Sequence, residues 1–386
     1  MRGHKLGRTI YQGAALKNTG VPGVIKGYGK ERVIHSPGAG TVKHISHLTD
    51  IVKKGEVIAS VPEGDKIYEL ENLGCRIILI SINRRSVNPK TDLQLFHKYV
   101  KLIRREKPTL VITYTIKPNI YGGFACRILK IPYVANITGL GTAFQKQGLL
   151  RSIVTMLYKI GLKKARTVFF ENSENLQTLV DSRIVRKEQT YLLNGAGVNL
   201  QHFSLTEYPD DEDITRFLFV GRVMQEKGID ELLLAMKRLI AEGKRCTLDM
   251  LGEYEEDYVD EIKRFEAEGW LHYHGYQADV RPFIANAHCF VLPSWHEGMA
   301  NTNLECAAMG RPVITSNIYG CKEAVIQDVS GILCEKQDAE SLYQAMKRFL
   351  QMSREERRNM GANGRKHMEI VFDKEKVVAD TMNRLF

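Results

Sequence analysis

The 386-residue chain is predicted to fold as two consecutive α/β domains with parallel sheets, on three observations. Short apolar runs end in Gly, Pro or Ser. Amphipathic helical patterns fill the intervals between them. The rhythm occurs twice, once on each side of an acidic polar stretch, TEYPDDEDIT, which is the expected linker. Strand and helix in alternation argue for right-handed βαβ units, with the sheet covered on both faces.

Residues 1–62 stand apart from this rhythm. They are rich in Gly and in short β-type runs (GVIKGY, ERVIHSP, GTVKHIS, DIVKKGEVIASV), which read as a small β-structure. From residue 63 to about 200 the strand runs are CRIILISI, TLVITYTI, YVANITG and TVFFEN, with helical patterns such as LQLFHKYVKLIRREK between them. The second series is cleaner. RFLFVG, TLDMLG, WLHYHG, CFVLP and PVITS each stop at a turn residue before a helix.

Composition narrows the function classes. The chain has no run of about 18 apolar residues and no continuous apolar stretch near its start, so neither a membrane span nor a secretory signal is expected. Its seven cysteines are scattered, form no C-x-x-C pair and read as buried thiols. The net charge of +10 is unevenly divided: residues 1–205 carry 32 Lys+Arg against 13 Asp+Glu, and residues 206–386 carry 23 against 32. The first half is therefore expected to face something anionic. Nucleic-acid signatures are missing, so no nucleic-acid partner is expected. An anionic membrane surface fits better. QKQGLLRSIVTMLYKIGLKKAR (145–166) mixes apolar residues with Lys146, Arg151, Lys159, Lys163, Lys164 and Arg166, a composition suited to lipid headgroups or equally to an ordinary basic surface helix.

In open α/β sheets ligands sit beyond the carboxyl ends of strands, where helix N-termini offer unpaired N–H groups to a diphosphate. Two places in the second series match. In FVGRVMQEKGIDELL, Arg222 and Lys227 follow a strand end, and two cations there can clamp two phosphates; Gly228 permits a tight entry to the helix. In LPSWHEGMANTNLECAAMG, Glu297 and Gly298 lie in a loop, the backbone from Met299 through Ala300 and Asn301 to Thr302 opens a helix, and Glu305 stands one turn in. Carboxylates at that spacing suit the hydroxyls of a hexose and a ribose on either side of a diphosphate. Further candidates cluster after strands of the first series: Lys117 and Asn119, then Thr138, Gly139 and Gly141, then Asn194, Gly195 and Gly197. His202 and His296 read as structural neighbours. The Asp211–Asp213 pair reads as a solvated charge run and not as a metal site, and no metal is expected.

On these strings, together with TYTIKPNIYGG, NITGLGTAF and LLNGAGVNLQHF, the stretch from about residue 63 onward resembles glycosyltransferase family 4, in its capsule, exopolysaccharide and lipopolysaccharide subgroup. The resemblance implies a GT-B fold of two Rossmann-like domains, a UDP-sugar co-substrate without a resident cofactor, and transfer with retention. It also implies a polyprenyl-diphosphate-linked saccharide acceptor and a cytoplasmic protein peripheral at the inner face of the membrane. Arg222 and Lys227 would stabilise the leaving diphosphate, Glu297 would contact the sugar, and Glu305 would hold the ribose. The candidates of the first series would lie on the acceptor side.

The resemblance breaks at the start. No strand, glycine loop and helix precede EGDKIYELENLGCRI, so the first Rossmann-like domain is expected to lack its first βα unit. VIASVP (57–62) is expected to stand in for its second strand. Residues 1–62 instead resemble the C-terminal, biotinyl/lipoyl-like part of an accessory protein of the selenium-dependent molybdenum hydroxylase system. Lys66 has the wrong surroundings for biotinylation or lipoylation. The expected division is 1–62 for that β-rich segment, 63–205 for a truncated acceptor domain, 206–370 for the donor domain, and 371–386 for a helix returning to the acceptor domain. Three readings follow: a fused but active transferase, a nucleotide-sugar-binding protein without transfer, and a molybdenum-enzyme accessory module. A GT-B-type epimerase ranks below these.

Overall fold

The computed structural model describes residues 30–34, 59–62, 77–82, 88–141, 144, 148–210 and 214–385. Most of the first 62 residues, Lys66, Cys75, Lys146 and the Asp211–Asp213 pair lie outside them. The chain divides into two compact units.

The first unit takes most of the chain up to Ile137, with Gly141–Phe169 and Leu179–Thr190. Its leading strands are β1 (Lys30–Ile34), β2 (Ala59–Pro62) and β3 (Ile77–Ser81). The strand expected in VIASVP is present as β2. The parallel pairing expected for CRIILISI is not found. β3 runs antiparallel to β1, with Lys30 opposite Ser81 and Ile34 opposite Ile77, and β1 also pairs antiparallel with β2. A strand from the first 62 residues thus shares a sheet with the α/β region. The physical reason is an open slot: among the described residues no βα unit precedes β3, and β3 satisfies its backbone groups on the strand beside it.

The parallel part of this unit starts with α1 (Pro89–Glu106). Asn88 caps it by accepting the Lys90 N–H at 3.0 Å, Pro89 occupies the first turn, and Lys107 closes it in the left-handed conformation. Leu95, Tyr99, Leu102 and Ile103 bury one face. β4 (Val111–Tyr114) then runs parallel to β5 (Tyr133–Ile137), with α2 (Gly123–Leu129) between them. α3 (Leu149–Leu162), β6 (Thr167–Phe170), α4 (Ser173–Asp181) and β7 (Thr190–Leu192) continue the series, and the sheet order is β4-β5-β6-β7. Among the described residues β4 is the end of this ladder. β2 lies close to it without joining it.

The second unit holds Thr138–Leu140, Phe170–Thr178 and Tyr191–Phe386. Its strands are β8 (Thr215–Val220), β9 (Cys246–Leu251), β10 (Leu271–Gly275), β11 (Cys289–Leu292), β12 (Val313–Ser316) and β13 (Gly331–Cys334), all parallel in the order β10-β9-β8-β11-β12-β13. β11 and β12 are buried at every position, as parallel strands covered on both faces must be. The helices are α5 (Ile229–Ala241), α6 (Val259–Ala267), α7 (Arg281–Asn286), α8 (Asn301–Ala308), α9 (Ala339–Gln351), α10 (Arg354–Val371) and α11 (Lys374–Leu385). α5 packs on α9, and α8 packs on α10. Phe217, Phe219, Phe290, Tyr343 and Phe349 fill the core between. In α11, the Arg384 guanidinium stands 4.4 Å from the centre of the Tyr191 ring.

One charged side chain is enclosed in this core. Arg311 has no solvent exposure, and burial brings its guanidinium down to about 10. It donates to the carbonyls of Ile284, Ala285 and Glu207 at 2.7–2.9 Å and to the Thr206 hydroxyl at 2.8 Å. A guanidinium with five fixed donors can satisfy that many acceptors at once, which is how a buried cation is tolerated.

Candidate active site

The strand order of the second unit reverses between β8 and β11. The chain proceeds from β8 to β9 and β10 on one side, then returns to start β11 on the other. Loops leaving the carboxyl ends of two such strands diverge and leave a crevice. The Arg222–Lys227 segment leaves β8, and the Glu297–Gly298 segment leaves β11, so the fold brings together the two motifs that the sequence keeps about seventy residues apart.

The two loops are joined by backbone. Trp295 N–H donates to the Glu226 carbonyl at 2.9 Å. Gly228, at φ 73°, opens α5, and a Cβ there would stand 2.2 Å from the Pro293 carbonyl oxygen. Across this seam the Lys227 ammonium donates to Glu297 Oε1, which also accepts the Ser294 hydroxyl at 2.8 Å. Both charged side chains are largely screened, at 18% and 13% exposure. Arg222 differs: its side chain is 55% exposed and is paired with Glu255, at 3.3 Å. An exposed pair of that kind is weak and readily exchanged for a phosphate.

α8 begins immediately after. Ala300 at its N-cap supplies no side-chain acceptor, and its own N–H is taken by the Gly320 carbonyl at 2.7 Å. The N–H groups of Asn301 and Thr302 have no partner within the helix and carry its partial positive charge, while Asn303 N–H donates to the Ala300 carbonyl at 3.0 Å. Met299 and Ala300 are buried, and the Asn301 Oδ1 is enclosed without a hydrogen-bond donor. Glu305 sits four residues beyond Asn301, on the same helical face, half-buried. His296 stands beside Lys336, 3.4 Å away, and the partial burial of its ring followed by that charge keeps its imidazole below the usual range.

The remaining candidates fall in several places. Lys117 pairs with Asp92 at 2.6 Å, where Tyr121 also donates at 2.9 Å. Asn119 is buried and donates to the Asn136 carbonyl at 2.8 Å. The Lys117 ammonium and the Asn119 Nδ2 are thus engaged inside the first unit, while the Asn119 Oδ1 is enclosed without a donor among the described residues. Gly139, Gly141, Gly195 and Gly197 all hold positive φ, so backbone shape alone calls for glycine there. Asn194 donates to the Val371 carbonyl at 3.1 Å. Thr138 does reach the Glu297 loop: a Cβ on Gly298 would stand 1.7 Å from the Thr138 carbonyl oxygen.

Two residues escaped the sequence reading. Asn172 donates to the carbonyls of Gly298 at 2.7 Å and Glu297 at 3.3 Å, clamping the loop. Glu171 beside it brings its Oε2 to 3.3 Å of the position a Gly298 Cβ would take. Both stand just past TVFF, the kind of strand end that drew attention elsewhere.

Comparison with known proteins gives this geometry a context. Residues 203–367 match the family described as glycosyl transferases group 1, and residues 41–172 match glycosyl transferase 4-like. The chain is 26% identical over 316 residues to N,N'-diacetylbacillosaminyl-diphospho-undecaprenol alpha-1,3-N-acetylgalactosaminyltransferase of Campylobacter jejuni, covering 78% of this chain and 83% of that protein. Over 62 residues it is 52% identical to the uncharacterized protein YqeB of Escherichia coli, a match spanning 16% of this chain and 12% of YqeB. Its fold resembles Anabaena Alr3699/HepE in complex with UDP-glucose, with a TM-score of 0.67 at 20% identity over 83% of this chain and 89% of that one. With glycosyltransferase models matching separate stretches in both halves and a relative aligned along most of its length, this chain is a glycosyltransferase with the GT-B fold.

Proposed function

We propose that the protein transfers a sugar, with retention of configuration, from a UDP-sugar to a saccharide carried on a polyprenyl diphosphate in surface-polysaccharide assembly. The observation that carries the donor half of this reading is the Lys227–Glu297 contact at the β8/β11 switch point, beside the uncapped start of α8. A diphosphate there would meet the Lys227 ammonium, the Arg222 guanidinium once it leaves Glu255, and the first-turn N–H groups of α8. These groups neutralise charge that grows on the departing UDP, which is where electrostatic catalysis acts. Glu305 would accept the ribose hydroxyls. Glu297, held by Ser294 and Lys227, would accept a hydroxyl of the sugar. No resident metal or cofactor is needed for these steps.

The acceptor half rests on charge and on the relative whose name specifies a diphospho-undecaprenol acceptor. In the first unit a groove of about 650 Å³ is lined by Lys159, Lys163, Arg183, Arg186 and Lys187. On α3 the apolar Ile153 and Met156 are exposed, at 41% and 64%, alongside Arg151 and Lys159. Cations around exposed apolar side chains suit an anionic membrane face, where a lipid-borne acceptor resides. Among the described residues no helix is long and apolar enough to cross a membrane. In this reading residues 63–205 serve the acceptor and 206–370 the donor.

A second reading, donor binding without transfer, is favoured by one observation: among the described residues β4 has no hydrogen-bonded neighbour on its outer side. Calorimetric titration with UDP, using wild type and Glu305→Ala, tests the donor site; affinity for UDP that the substitution leaves intact sinks both readings. Radiolabelled sugar transfer to a polyprenyl-diphosphate saccharide then separates the two.

A further inference from the structure

Glu171 is a carboxylic acid for which the donor-site reading gives no use. Among the described residues it has no hydrogen-bond or ion-pair partner, although Asn172 and the neighbouring backbone are fully engaged. Its Oε2 lies 3.3 Å from the position a Gly298 Cβ would take, a point that stands 1.7 Å from the Thr138 carbonyl oxygen. Glu171 is half-buried, and an unpaired carboxyl at so crowded a position costs stability. A fold keeps such a group where a ligand supplies the missing partner.

We propose that Glu171 is a substrate-contacting residue that binds a hydroxyl of the transferred sugar, opposite Glu297 across the Glu297–Gly298 loop. The proposal rests on the donor-site reading above and deepens it. Three features set the chemistry. The group lies beside the loop assigned to the sugar and away from Arg222, so its ligand is neutral and not a phosphate. A carboxyl without a cationic neighbour suits a hydroxyl, which can both give and take a hydrogen bond. Burial raises its protonation to about 8, so at neutral pH it is an uncharged acid able to donate as well as accept. The charged groups packed around the loop are Glu174 on α4, and Glu297, Lys227, His296 and Glu323 across it. Burial is the sole cause that raises Glu171.

The test compares UDP with UDP-sugars on the full chain. Calorimetry with UDP, UDP-glucose, UDP-galactose and their N-acetylhexosamine counterparts identifies the tightest donor. Glu171→Ala is expected to weaken that donor roughly tenfold while UDP affinity stays within about twofold, because the lost contact is to sugar alone. Glu171→Gln keeps a neutral donor and acceptor and is expected to bind the donor within about threefold of wild type at pH 7. Wild-type donor affinity should fall as pH rises through about 8, with UDP affinity unchanged, and Glu171→Gln should lack that fall. Equal losses for UDP and UDP-sugar, or an unaltered donor affinity in Glu171→Ala, would overturn the proposal. A wild-type chain that binds no UDP would instead overturn the donor-site reading itself.

Discussion

Gly228→Ala is the sharpest probe of how the two donor loops depend on each other. Gly228 holds φ 73°, so an alanine there meets left-handed strain of about 1 kcal/mol. The same conformation is held by Gly243, at φ 71°, in the turn after α5. The surroundings differ. A Cβ at 243 meets nothing within 4 Å, whereas at 228 it stands 2.2 Å from the Pro293 carbonyl oxygen and 2.8 Å from its carbon. The loops must part by about 1 Å to relieve that overlap, and a displacement of this size in a catalytic constellation costs on the order of a hundredfold in turnover. Gly243→Ala should lower the melting temperature by about 2–4 °C and leave UDP affinity unchanged. Gly228→Ala should show a larger drop and also lose UDP affinity by at least about tenfold, because the Trp295–Glu226 and Lys227–Glu297 links span the same seam. Scanning calorimetry and UDP titration on the two variants decide the matter. Equal UDP affinities in Gly228→Ala and Gly243→Ala would show that the seam does not position the donor.

Other outcomes follow from the same structure. Lys227→Met removes a cation from the proposed diphosphate site and leaves Glu297 without its ion pair; UDP affinity should fall by about 1.5–3 kcal/mol, read by titration. Arg311→Met leaves several enclosed carbonyls without donors and should destabilise the second unit by about 3 kcal/mol in denaturant melts, with no direct effect on UDP. Glu171 gives a pH signature in stability. Its proton is held up to about 8 when folded and only to about 4.5 when unfolded, so stability is lost as pH rises between those values. Glu171→Gln should therefore match wild type near pH 4 and exceed it at pH 8, by ~1–2 kcal/mol after allowance for partial solvent contact. A constant difference across pH would contradict this.

The strands of the second unit were legible because their signals are local. RFLFVG and CFVLP are short strands stopped by Gly and Pro, and the residues that follow must sit at strand ends whatever the rest of the chain does. Pairing between elements is not local, and there the reading was incomplete. CRIILISI announces a strand, but its antiparallel partner at 30–34 is chosen by which edge stands open. Lys117 follows a strand as Arg222 does, yet Asp92, twenty-five residues upstream, engages its charge. Glu171 and Asn172 lie on a strand end like the others, but nothing in FFENSEN announces that Gly298 approaches them.

The enclosed Arg311 bears on how this half of the molecule can be reused. Its guanidinium holds Thr206 and Glu207 as firmly as it holds the end of α7. The acidic stretch that reads as a linker therefore begins with two residues that belong to the core of the second unit. A chimaera joined downstream of Glu207 would bring the cation without its acceptors at Thr206 and Glu207, so a transplantable second unit has to start ahead of Thr206.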